Sequence, residues 1–248
     1  MAEPAHQESG AHEEIPVLLL ATGPSEGTFM SERMTVVGSS SFSTAIDELA
    51  VSGVLVGQRL IVPGDEAALL PEEAPAFEGS VVAARRASGA ARLVARNLLK
   101  RLGFPECPIK RGSARAPTWP EGIRGSLAHD SDYAVAAICR AQDFRALGID
   151  VEPAELLPSE LVDLVATPRE RTHLDADGFG GRMLFVAKEA VYKAVYPLDR
   201  MFLDHHDVEI DFANRIATVC NGRVVHLRLC VSTHLAALAF IPAGHESG

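Results

Sequence analysis

Cysteine is sparse in this chain and poorly spaced for disulfide or metal chemistry. The four present, Cys107, Cys139, Cys220 and Cys230, form no CxxC pair and no Cys/His zinc pattern. That excludes a structural zinc site of the usual kind and points to a reducing compartment. Long apolar runs are also lacking: none approaches the roughly 20 residues that span a bilayer, so no stable membrane association is expected. Residues 1 to 14 are acidic and His-bearing, with no basic stretch ahead of an apolar one, and do not read as a secretory signal. Net positive charge is missing too. Lys and Arg number 23 against 33 Asp and Glu, a balance of −10, so the overall field does not favour nucleic acid. A cytoplasmic globular protein is the expectation, and 248 residues leave room for one large domain or two small ones.

Residues 1 to 14 read as a disordered tail. Strand signals cover Ile15 to Ala21 and Val51 to Val62, the latter ended by Pro63-Gly64. A long helix is expected over about Phe77 to Leu102, stopped by Gly103 and Pro105. Cys107 to Gly125 reads as an ordered loop around Trp119. Tyr133 to Cys139 and Ala146 to Val151 read as buried strands joined by a hairpin turn over Arg140 to Arg145. Ser159 to Ala166 suits a helix, and Thr167 caps a second with Pro168 at its first position. Asp177 to Gly181 reads as a flexible hinge before a helix from Met183 to Val195, which Pro197 ends. Val208 to Phe212, Ile216 to Cys220, Val224 to Val231 and Leu235 to Ile241 alternate like an antiparallel meander, with Asn221-Gly222 as a hairpin turn. Each half offers strands and one long helix without βαβ alternation, so the fold class is α+β, with halves at 15–140 and 141–248.

Charged residues stand in apolar surroundings at two places. Asp150 and Glu152 interrupt the short apolar strand Leu147 to Pro153 and, two apart, share one face at roughly 6.6 Å spacing. Two hard oxygen donors so placed suit one magnesium ion, which takes one or two carboxylates, waters and phosphate oxygens. A wet edge strand would show the same pattern. Glu189 and Lys193, four apart, share a helix face, either as an ordinary exposed pair or as a third carboxylate and a phosphate-neutralising cation. Arg85, Arg92, Arg96 and Lys100 fall on one face of the first long helix, which suits either solvent or a localised polyanion. His129, ahead of a buried strand, is placed either as a satisfied structural histidine or as a phosphate donor.

Taken in order, Arg85-Arg86, Arg92, Trp119-Pro120, Gly125-Ser126-Leu127-Ala128-His129, Gly148-Ile149-Asp150-Val151-Glu152 and Lys188-Glu189-Ala190-Val191-Tyr192-Lys193 resemble the 4′-phosphopantetheinyl transferases. The similarity is to the stand-alone bacterial type that includes enterobactin-synthetase component D and serves siderophore and polyketide synthesis. The resemblance implies two similar α+β subdomains related by a pseudo-twofold, with coenzyme A in the cleft between them. It also implies Mg2+ held by Asp150, Glu152 and Glu189, with Glu189 as general base and Lys193 on the phosphates. Arg85, Arg92, Arg111 and His129 are then expected around the 3′-phosphate. The implied reaction moves 4′-phosphopantetheine from coenzyme A to a serine of an apo acyl or peptidyl carrier protein, in a monomer. The rival functions are a magnesium-dependent nucleotide or coenzyme A pyrophosphate hydrolase and a non-catalytic coenzyme A-binding regulator. The chain departs from the family's pattern at Ala128, where Ser or Thr is usual, and at Asp130, where Cys is frequent.

Overall fold

A computed structural model describes residues 41–112, 115–174 and 178–244. The expected tail, the expected strand at Ile15 to Ala21 and Asp177 of the expected hinge lie outside these residues. In chain order the elements are α1 (Phe42–Ala45), β1 (Val54–Leu60), α2 (Val82–Arg101), β2 (Ile123–His129), β3 (Tyr133–Arg140), β4 (Phe144–Pro153), α3 (Ser159–Val165), α4 (Pro168–Arg171), α5 (Gly180–Asp199), β5 (Val208–Asp211), β6 (Ile216–Val219), β7 (Val224–Val231) and β8 (His234–Pro242). The strands form two antiparallel sheets, ordered β1-β3-β2 and β4-β8-β7-β6-β5. The class is α+β.

Period-two burial sorts the strand residues into layers. On β3, Ala136 and Ile138 face Val94, Ala95 and Leu98 of α2. The alternate residues Val135, Ala137 and Cys139 meet Ile149 and Val151 of β4 and Leu238 of β8. The other face of the larger sheet, through Ala237 and Ala239, packs on Ala187, Ala190, Val191 and Ala194 of α5. The stack therefore runs α2, three-stranded sheet, five-stranded sheet, α5. Strands β2 and β4 each form an edge of their sheet, and these edges lie beside one another.

Several expectations change. Arg140 to Arg145 is not a hairpin, because β3 pairs with β1 and β2 while β4 pairs with β8; the turn carries the chain from one sheet to the other. The stretch from Ile123 to Gly125 is strand rather than loop, so His129, still just ahead of β3, also ends β2. The first long helix starts at Val82, since Gly79 at φ +81° breaks the run begun by the 3-10 turn Ala74–Phe77. It ends as expected, with Gly103 at φ +85°. Pro197 does not stop α5. It lies within the last turn, at the cost of one i→i−4 hydrogen bond, and the helix closes at Asp199 with Arg200 left-handed. The Thr167 cap with Pro168 behind it is as expected, and Glu170 completes a capping box.

The basic stripe of α2 also divides. Arg96 is 3% exposed and donates to both oxygens of Glu73, which is fully buried, at 2.9 and 3.0 Å. Glu73 further accepts from the Ile109 and Leu70 amides. This pair pins α2 to the loops around it rather than facing a ligand. Breaking a buried pair strands the remaining charge at a cost of about 3–5 kcal/mol. Arg96→Met is expected to lower the thermal midpoint by about 10 °C. A fall of under about 2 °C in a melting experiment would show that the pair is dispensable.

Candidate active site

Asp150 is held where β4 meets α5. Gly148 lets the two elements approach so closely that a β-carbon there would lie 2.0 Å from the Ala190 carbonyl oxygen and 2.7 Å from the Ala194 nitrogen. At this distance Lys193 Nζ donates to Asp150 Oδ1 at 2.5 Å. Glu152, on the same face of the strand, takes Arg182 Nη1 at 3.2 Å. Arg182 is fully buried and also donates to the Leu156 carbonyl at 3.4 Å. Two strand carboxylates are thus answered by two cations from one helix. The sequence reasoning missed Arg182. The signal that marks it is helical spacing, seven residues before Glu189 and eleven before Lys193, on the same face.

Burial works against the charge on Lys193, but Asp150, Glu189 and Glu152 outweigh it and raise its pKa. Burial also lifts Asp150, to about 6, against the pull of Lys193 and with the push of Glu189. The 2.5 Å contact decides for an ionised Asp150 beside a protonated lysine at neutral pH. Its second oxygen, Oδ2, is buried and has no hydrogen-bond partner among the described residues.

Next to this pair lies a cleft of about 260 Å3 lined by Arg92, Arg111, Arg115, Ala128, His129 and Lys193. Two of these arginines lie on the buried Phe77 ring: the Arg92 guanidinium is 4.7 Å and that of Arg111 4.3 Å from the ring centre. Arg92 is 5% exposed and donates to the Ile109 and Ser88 carbonyls, at 2.9 and 3.2 Å. Burial lowers its pKa to about 10, so it remains charged at neutral pH. Crowding around its ring, followed by the fields of Lys193, Arg92 and Arg111, depresses His129 to about 4. His129 nevertheless reaches solvent at the end of β2. The flanking cations are therefore the part of that depression which a bound anion would reverse.

Lys193 and Arg115 also border a second cavity of about 460 Å3, with Trp119, Arg124, Arg145, Glu189 and Tyr192 in its wall. Among the described residues the Glu189 side chain makes no hydrogen bond or ion pair, although its charge acts on Lys193. Arg85 is not brought to either cavity; its Nη1 donates to the Ser80 carbonyl at 2.5 Å. The first lysine of the KEAVYK segment is structural. Lys188 is 2% exposed and is held by Glu170 and by the Val165 and His205 carbonyls.

Among the described residues no three His, Cys, Asp or Glu side chains converge as a ready-made metal cage. The surroundings nonetheless fit a divalent cation. Three carboxylates act on Lys193, Arg182 answers one of them, and a buried carboxylate oxygen is unbonded. An excess of anionic oxygen and a lone acceptor are what a hard cation seeks.

A fold of two stacked α+β layers and a cationic cleft beside buried carboxylates define an enzyme that handles an anionic substrate. The profile of the 4′-phosphopantetheinyl transferase N-terminal domain matches residues 72–139, and that of the 4′-phosphopantetheinyl transferase superfamily matches residues 146–239. The chain is 36% identical over 195 residues to the 4′-phosphopantetheinyl transferase PptT of Mycobacterium tuberculosis, covering 77% of this chain and 83% of that protein. It is 39% identical over 170 residues to the transferase Npt of Nocardia iowensis, covering 67% and 76%. Enterobactin synthase component D of Escherichia coli K12 is 32% identical over 123 residues, covering 47% of this chain and 57% of that protein. The chain belongs to the 4′-phosphopantetheinyl transferase family and is a transferase.

Proposed function

We propose that this enzyme moves 4′-phosphopantetheine from coenzyme A to a serine hydroxyl of an apo acyl or peptidyl carrier protein, releasing adenosine 3′,5′-bisphosphate. It acts as a cytoplasmic monomer, with its halves meeting near residue 140. The observation that carries this reading is Lys193, placed between Asp150 and the cleft that holds Arg92, Arg111 and His129. The cleft takes the nucleotide phosphates, and the cavity bordered by Glu189 and Tyr192 takes the pantetheine arm and the incoming serine.

In the transfer, the serine oxygen bonds to the phosphorus that bears pantetheine while the bridging phosphorus–oxygen bond to the nucleotide breaks. Glu189 is the candidate proton acceptor, because Asp150 and Glu152 already answer cations. Lys193 neutralises charge on the reacting phosphate, and the arginine stack on Phe77 orients the donor. Asp150, Glu152 and Glu189 would hold Mg2+, which when bound supplies further neutralisation of the diphosphate. Arg85, which lines neither cavity, is assigned only an outer role near the 3′-phosphate.

The test is to incubate the protein with coenzyme A, Mg2+ and a panel of apo carrier proteins and weigh the carriers. A gain of one phosphopantetheine mass on the carrier is the expected result. Consumption of coenzyme A in the absence of a carrier would instead mark a hydrolase. Arg111→Ala removes one charge-assisted contact and is expected to raise KM for coenzyme A about tenfold, with little effect on 3′-dephospho-coenzyme A. Equal effects on the two donors would remove Arg111 from the 3′-phosphate site.

A further inference from the structure

His129 enters the anion cleft from the three-stranded sheet, whereas Asp150 and Lys193 belong to the other half. The cleft therefore has its proper width only if the two halves keep their mutual register. Among the described residues, one buried carboxylate–imidazole contact crosses between them at this place. Asp130, directly after His129, closes the β2–β3 turn by accepting the amides of Asp132 and Tyr133 on Oδ1, at 2.7 and 2.6 Å. Its other oxygen, Oδ2, lies 3.3 Å from Nε2 of His234, the first residue of β8. Asp130 and His234 are 7% and 6% exposed. Asp132 adds a second carboxylate oxygen 3.7 Å from the same nitrogen.

The His234 ring is fixed from its remaining sides. Nδ1 contacts Thr233 Oγ1 at 3.1 Å, and the rings of Tyr133 and Phe42 pack with centroids 4.8 and 5.2 Å away. His234 also faces Pro153 across the β4–β8 ladder, next to the pairing of Glu152 with Leu235. The contact thus joins the turn that bears His129 to the strand pair that bears the site carboxylates. The buried ion pairs of Arg96 with Glu73, Lys188 with Glu170 and Arg182 with Glu152, by contrast, each stay within one half.

We propose that His234 and Asp130 are positioning residues for donor recognition: their contact locks the two sheets in register and thereby sets His129 in the anion cleft. The inference rests on the reading of that cleft as the donor phosphate site. Neither residue touches the donor, and neither takes part in the chemical step. Loss of the contact lets the turn shift, so His129 reaches the phosphate less often while the reacting groups stay in place.

The experiment compares wild type with His129→Ala, His234→Phe, His234→Gln and Asp130→Asn, measuring kcat and KM with coenzyme A and with 3′-dephospho-coenzyme A. His129→Ala reports on the cleft itself and is expected to raise KM for coenzyme A about tenfold more than for the dephospho donor. His234→Phe keeps the ring packing and loses the nitrogen; it is expected to raise KM for coenzyme A about three- to tenfold, with kcat within about twofold and the dephospho donor unaffected. His234→Gln restores a donor toward Asp130 and should recover most of the loss. Asp130→Asn keeps the Oδ1 turn acceptor, removes the charge facing His234 and should give the same donor-selective rise in KM, which tests the contact independently if His234→Phe does not fold. A donor-selective His129→Ala alongside His234 and Asp130 variants that change both donors alike, or neither, overturns the positioning role and spares the cleft. If His129→Ala shows no donor selectivity, the reading of the cleft falls and the positioning role falls with it.

Discussion

Asp150→Asn is expected to lower the rate of phosphopantetheine transfer by about 100- to 1000-fold, the range seen when one preorganised electrostatic group is removed from a site. Asn keeps the size of Asp150 and leaves an oxygen for Lys193 Nζ, now 2.5 Å from Oδ1, so the fold should survive. What disappears is the negative charge that fixes Lys193 and the buried, unbonded Oδ2. Steady-state transfer to an apo carrier, with circular dichroism as the control for folding, measures the effect. A folded variant within about tenfold of wild type would place the chemistry elsewhere and remove Asp150 from the site.

Gly148→Ala is expected to damage stability and activity together. The added methyl would meet the Ala190 carbonyl oxygen at 2.0 Å and the Ala194 nitrogen at 2.7 Å, and both belong to the backbone of α5. A helix backbone cannot swing aside as a flexible side chain can, so all of α5 must move away from β4. Overpacking of this kind costs about 1–3 kcal/mol or somewhat more, which corresponds to a thermal midpoint lower by about 5–10 °C for a chain of this size. Moving α5 also draws Lys193 from Asp150 and Arg182 from Glu152, so transfer by the folded fraction should fall as well. An unchanged midpoint with full activity would mean that the approach of β4 to α5 is not tight.

Much of this was legible in the residues because it depends on near neighbours. Period two along β4 placed Asp150 and Glu152 on one face with Ile149 and Val151 on the other, and the structure puts them so. The i, i+4 relation put Glu189 and Lys193 on one face of α5, and both border the same cavity. Strand β2 was less legible. Its sequence, IRGSLAH, has weak strand propensity, and pairing with β3 decides its state. Gly125 within it is required by contact, since a β-carbon there would lie 2.7 Å from the Trp119 ring and 2.8 Å from the Ala137 carbonyl oxygen.

The residues alone determined most of the helices and strands, which charges share a face, and which family the order of motifs resembles. Tertiary structure alone decided how those charges pair. Arg96 turned from the basic face to Glu73, 23 residues away, and Arg85 stayed outside the cleft. Lys193 reached Asp150 across 43 residues and Arg182 reached Glu152 across 30. The reason is physical. Helical and strand periodicity are set by neighbours a few residues apart, whereas a buried ion pair depends on the distance at which two remote elements pack, here the approach of α5 to β4 that Gly148 permits.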